Sequence, residues 1–173
     1  NVDFDAAIGR IKPMHCINNA PIALGGDKLF GYLGEAGIPY SRMHDTGGNY
    51  GGACFVDIAN VFPDFNADPD DPQSYDFAFT DWLFASLHKQ GVKPFYRLGA
   101  TIENQHRIKA YRIYPPADNM QWARICAGII RHYNEDWAEG FRYGIEYWEI
   151  WNEPDNEPAI ADNPMWKGTK EQF

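Results

Sequence analysis

One cycle recurs along this chain and limits what it can fold into: a short apolar run of strand length, a polar loop, an amphipathic helical run, and a turn into the next strand. The first strand is expected over Ile11–Cys16, after which Asp27 can cap a helix with Leu29, Phe30 and Leu33 on one face and Gly37 ending it. The second is expected over Ile38–His44, where the period of two puts Tyr40, Arg42 and His44 on one face. A loop rich in Gly, Asn, Asp and Pro runs from Asp45 to Gln73. Ser74 then opens a helix with Tyr75, Phe79, Trp82, Leu83 and Leu87 at helical spacing, which Gly91 stops. Val92–Leu98 reads as the third strand. Asp118 starts the next helix, Gln121 stands where a capping box would close, and Trp122, Ile125, Ile129 and Tyr133 form its buried stripe. Ile145–Trp151 reads as the fourth strand.

Strict alternation of strand and helix implies parallel strands joined by right-handed crossovers. Long loops follow the strands, whereas the turns into strands at Gly37 and Gly91 are tight. A barrel whose working face lies at the C-terminal strand ends has that asymmetry. A doubly wound sheet would carry a Gly-rich phosphate turn after its first strand, and Ile17-Asn18-Asn19-Ala20-Pro21 cannot serve as one. The expected fold is therefore α/β, the N-terminal half of a (β/α)8 TIM barrel with about four βα units.

The chain has 173 residues, whereas a whole barrel of this kind needs about 250. Thr169 and Gln172 have capping-box spacing at the start of a further helix that is cut off at Phe173. Residues 1–173 are thus expected to be a partial catalytic domain, truncated at the start of its fourth helix. The formal net charge of −9 would repel phosphates, so neither nucleic acid nor an anionic membrane surface is expected as a partner. No run approaches the roughly 20 apolar residues of a membrane span. Cys16, Cys54 and Cys126 are too scattered for a disulfide framework or a zinc site and are expected to be buried thiols.

The residues with chemical promise lie at the expected strand ends. Glu153 ends an apolar strand between Trp148 and Trp151 on one side and Pro154 on the other, and Asn152 places a neutral amide beside it. Retaining glycoside hydrolysis uses two carboxyls roughly 5–5.5 Å apart, one of them held protonated, and an apolar aromatic setting favours the protonated form. Glu153 is expected to be a rigidly held carboxyl in a partly dry site. His44, Asp45, His15 and Glu103 are further candidates for contact with a substrate at strand ends, and Trp151 could stack on a sugar ring or pack in the core.

The segment Tyr147-Trp148-Glu149-Ile150-Trp151-Asn152-Glu153-Pro154 resembles the fourth-strand signature of clan A glycoside hydrolases. That resemblance implies Glu153 as acid/base, Asn152 as the group that contacts the sugar 2-hydroxyl, and Arg42 as the strand-two arginine that supports the nucleophile. Ser41-Arg42-Met43-His44-Asp45, Trp148-Glu149-Ile150-Trp151-Asn152-Glu153-Pro154-Asp155 and Gly168-Thr169-Lys170-Glu171-Gln172-Phe173 are most similar to family 39, which includes β-xylosidases and α-L-iduronidases. It further implies a nucleophilic Glu at the end of a seventh strand, beyond Phe173. Glu149 lies within its strand and is expected to pair with an inward arginine, Arg42 or Arg97.

The resemblance implies a carbohydrate substrate, with no cofactor and no metal. Two other readings stay open: a catalytically inactive, sugar-binding relative, and a metal-dependent hydrolase using His15, His44, Asp45 and Glu153. The second lacks a His-x-His or His-Glu-x-x-His pattern. The acidic run Asp64–Asp71 lacks the glycine and terminal glutamate of a calcium loop. Residues 1–173 alone are expected to be inactive and, with uncovered sheet edges, to self-associate. For the parent protein, a periplasmic or secreted location is favoured over a cytoplasmic one.

Overall fold

The computed structural model of the protein describes residues 3–12, 14–21, 28–43, 56–100 and 113–173. Its elements run β1 (Ile17–Asn18), α1 (Lys28–Glu35), β2 (Tyr40–Met43), α2 (Ile58–Val61), α3 (Ala78–Lys89), β3 (Lys93–Leu98), α4 (Asn119–Asn134) and β4 (Tyr147–Ile150), with 3-10 turns at Pro72–Ser74 and Lys170–Gln172. The four strands form one sheet in the order β1-β2-β3-β4, and every pairing is parallel. Sequential order with parallel pairing means that each crossover returns to the neighbouring position, as the arc of a (β/α)8 barrel requires. The fold is α/β, a partial barrel.

Register separates the two faces of this arc. Arg42 pairs with Phe95 and Phe95 with Tyr147, and Arg97 pairs with Glu149. Together with Tyr40 these side chains line the concave, inner face. The alternate residues Met43, Tyr96, Leu98 and Trp148 face the helices. There they join Phe84 and Leu87 of α3 and Ile125, Ile129 and Tyr133 of α4 in the main core. Phe84 meets Tyr96 edge-on at 5.2 Å between ring centroids, and Tyr96 also donates to the Val56 carbonyl at 2.9 Å. Burying each such large apolar side chain contributes about 1.5–3 kcal/mol, so the helical face of the sheet carries most of the stability.

Helix-to-strand turns close as the glycine spacing predicts. Gly37 and Gly91 have φ of 63° and 72°, left-handed values that a side chain would disfavour. Four expectations need correction. The first strand is Ile17–Asn18 rather than Ile11–Cys16, because Ser41 and Arg42 of β2 pair with those two residues. Ile11 and Met14 are 92% and 80% exposed, so their apolar character marks no buried strand.

Ser74 does not open a helix. It closes a 3-10 turn, and Tyr75 leaves it extended so that its ring can pack on Phe62 and Phe77. Helix α3 starts at Ala78, whose N–H donates to Asp76 Oδ1 at 3.1 Å. At α4, Asp118 caps as expected, accepting from the N–H groups of Met120 and Gln121. Gln121 does not close the box. Its amide donates instead to the carbonyls of Phe65 and Ala67, tying α4 to the loop after α2.

Cys126 is buried as expected, but Cys16 is exposed because the segment before β1 lies outside the core; Cys54 lies outside the described residues.

Candidate active site

Backbone geometry at the end of β4 builds this site. Trp151 leaves the strand in a left-handed conformation, φ 67°, while its N–H still donates to the Leu98 carbonyl at 2.8 Å. Its ring turns into a small second core, T-shaped against Trp166 at 5.5 Å, and its indole N–H donates to the Met165 carbonyl at 2.8 Å. Gly99 makes room for this crossing: a Cβ there would stand 3.0 Å from Trp151 Cα. Glu153 is also left-handed, φ 43°. Two such non-glycine residues within three positions are sparsely populated backbone, each costing on the order of 1–3 kcal/mol. Surrounding contacts must hold them.

Arg42 supplies one set of those contacts. From the inner face of β2 its Nε donates to Glu149 Oε2 at 2.7 Å and its Nη2 to Glu149 Oε1 at 2.6 Å, a two-pronged pair that reaches across β3. The same Nη2 donates to Asn152 Oδ1 at 2.8 Å, and Nη1 reaches Asn18 Oδ1 at 3.2 Å. One guanidinium thus joins β1, β2 and β4. It also fixes the amide of Asn152, whose oxygen is taken by Arg42. The Asn152 side chain is buried, and among the described residues its Nδ2 meets no acceptor. A buried amide donor in that state is a ready partner for a hydroxyl or carbonyl oxygen.

Glu153 itself projects into solvent. This corrects the expectation of a partly dry setting between tryptophans. Trp148 faces the helices, 5.7 Å from Tyr96, and Trp151 is buried behind the strand end, so neither ring flanks the carboxyl. What touches the carboxyl is Asn156, whose Nδ2 donates to Glu153 Oε2 at 2.9 Å.

The other expected site residues divide by position. Asn152 and Arg42 meet as described. His15 precedes β1 and its ring contacts the Gly37 carbonyl at 2.9 Å. Gly37 leads into the start of β2, so His15 lies at the opposite end of the sheet from Glu153, which contradicts its placement at the end of strand one. It also removes His15 from any metal site built on Glu153. Among the described residues no three His, Cys, Asp or Glu side chains gather as a metal site. His44, Asp45 and Glu103 lie outside the described residues. Trp151 has the packing role rather than that of a stacking platform. In the acidic run, Asp64 and Asp68 accept from nearby backbone N–H groups, and Asp70 pairs with Arg124.

The sequence reading missed one element of the site. Arg97, inward on β3, donates from Nη2 to Asp57 Oδ1 at 2.8 Å, with both side chains fully buried. Asp57 precedes α2, which sits inside the segment read as one long loop. Its signal was present: Val56, Ile58, Val61 and Phe62 are apolar and all are buried.

A parallel sheet with polar and charged side chains converging at its C-terminal strand ends has the arrangement of the working face of a (β/α) barrel. No family model matches the chain. A solved structure, a glucosidase from Croceicoccus marinus, is similar with a TM-score of 0.63 at 22% sequence identity. The match covers 84% of this chain and 27% of that one, so the chain spans about a quarter of its length. The likeness is one of fold, a partial (β/α) barrel shared with part of that structure.

Proposed function

We propose that this chain supplies the acid/base half of a retaining O-glycosyl hydrolase, in which Glu153 protonates the leaving glycosidic oxygen and then takes a proton from water. The observation that carries the reading is the Arg42–Glu149–Asn152 network, which presents a buried amide donor, unmatched among the described residues, one residue before Glu153. Asn152 Nδ2 would hold a sugar hydroxyl, and Glu153 at the open strand end would reach the adjacent glycosidic oxygen. A second carboxylate, supplied outside residues 1–173, attacks the anomeric carbon as the C–O bond breaks and its electron pair leaves on the protonated oxygen.

The resemblance to family 39 favours a β-xylosidase-like substrate, whereas the similar solved structure is called a glucosidase. Both sugars therefore belong in the test. In the full-length protein, Glu153→Gln is expected to lower turnover of phenyl β-xyloside or β-glucoside by about 10²–10⁴-fold, the usual worth of general acid–base catalysis. Unchanged turnover in that variant would remove Glu153 from the chemistry. Residues 1–173 alone are expected to turn over neither glycoside.

A further inference from the structure

Resting on the acid/base reading of Glu153, we infer that Asn156 is a positioning residue that decides which carboxyl oxygen of Glu153 handles the proton. Asn156 Nδ2 donates to Glu153 Oε2 at 2.9 Å, and the Asn156 N–H donates to the Glu153 carbonyl at 3.1 Å, closing a turn over the two residues between. In a protonated carboxyl the carbonyl oxygen is the better acceptor for an amide N–H than the hydroxyl oxygen, so the Asn156 contact at Oε2 favours the proton of the acid form on Oε1. Oε1 is then the atom that gives the proton to the leaving oxygen and later receives one from water. Without Asn156 the carboxyl would rotate about its last torsion, which is broad for glutamate, and either oxygen would face the substrate.

The turn itself is fixed from behind. Asn163 is buried; its Nδ2 donates to the carbonyls of Pro154 at 2.8 Å and Glu157 at 3.3 Å, and its Oδ1 accepts from the N–H groups of Met165 and Trp166. Every hydrogen-bonding site of this amide facing the loop is used, so Asn156 is carried on a backbone held at both ends. Asn156 is the side chain that hydrogen-bonds the Glu153 carboxyl among the described residues.

The test compares leaving groups in the full-length protein. A phenyl glycoside needs protonation of its leaving oxygen, whereas a 2,4-dinitrophenyl glycoside does not. Asn156→Ala is expected to reduce kcat/KM on the phenyl glycoside about ten-fold more than on the dinitrophenyl glycoside, the size expected for one hydrogen bond to a charged group. Asn156→Asp, of the same shape but without the donor, is expected to give at least as large a ratio. Because Asn156 is exposed, thermal melts of these variants should match the parent. Equal losses on both glycosides would assign Asn156 a merely structural role and overturn the inference.

Glu153→Ala separates the two claims. If it produces the leaving-group ratio and Asn156→Ala does not, the positioning role falls and the acid/base reading stands. If Glu153→Ala produces no such ratio, or if the parent protein turns over neither xylosides nor glucosides, the acid/base reading falls and takes the inference with it.

Discussion

At the scale of single residues, two charged clusters of the sheet besides Arg42–Glu149 differ in depth and so in consequence. Arg97 and Asp57 are fully buried, and removing one partner leaves the other charge in a medium that solvates it poorly. Asp57→Ala is expected to destabilise the protein by about 3–5 kcal/mol, checked by urea denaturation against the parent. A loss below about 1 kcal/mol, the size of an exposed pair, would mean that water reaches the site. Lys93, Glu146 and Tyr40 form the second cluster in solvent at the other end of the strands. The hydrogen bond from Lys93, with its charge, holds the Glu146 carboxyl below the usual range. A depressed folded value means that the contribution is complete above the unfolded carboxyl value of about 4.3 and is lost as pH falls through the lower folded value. The stability difference between the parent and Glu146→Gln should therefore vanish in acid and persist at neutral pH. A difference that grows in acid would reverse the assignment.

At the scale of elements, α4 shows how a helix can be legible in pattern yet dependent on one absent side chain. Its stripe of Ile125, Ile129 and Tyr133 is buried as the helical spacing predicts. Gly128, in the middle of the helix, is different: a Cβ there would overlap the Tyr75 hydroxyl, which donates to the Pro69 carbonyl at 2.9 Å. On an isolated helix, Gly→Ala would stabilise by up to about 1 kcal/mol. Here the overlap should dominate, and Gly128→Ala is expected to cost about 1–3 kcal/mol, the range for overpacking. A smaller cost of Gly128→Ala in the Tyr75→Ala background than in the parent would confirm the Tyr75 side chain as the obstacle, because its ring carbon Cζ as well as its hydroxyl would lie within 3 Å of the added Cβ. Nothing in the local sequence marks Gly128 for this role, because its partner lies 53 residues earlier. The misplaced first strand has the same origin: apolar residues at 11 and 14 look like a strand, but β2 chooses the segment that pairs with it.

At the scale of the whole molecule, the sheet is covered on its helical face, whereas its inner face carries Tyr40, Phe95 and Tyr147 with Arg42 and Glu149, and Tyr147 is 49% exposed. Parallel sheets are ordinarily covered on both faces, and β1 and β4 are edge strands of this one. Residues 1–173 in isolation are therefore expected to sediment as a dimer or larger species at micromolar concentration. A monomer there would mean that the polar half of the inner face is enough to keep it soluble.

The sequence by itself determined the alternation that makes a parallel sheet, the face of α4, the Gly37 and Gly91 turns, and the placement of Asn152 and Glu153 at a strand end; of the face expected for α1, Phe30 is buried but Leu29 is exposed. All of these follow from local periodicity or from backbone demands that one residue type meets. It also placed Glu149 opposite an arginine, since inward residues of parallel strands share a face. Tertiary structure decided the rest. It chose Arg42 for Glu149 and Asp57 for Arg97, turned Trp151 into the core rather than toward a ligand, set His15 at the far end of the sheet, and left Glu153 in contact with Asn156 instead of tryptophan. Each of those outcomes depends on which distant segments meet and on the left-handed turns at Trp151 and Glu153, and neither is encoded in a local pattern.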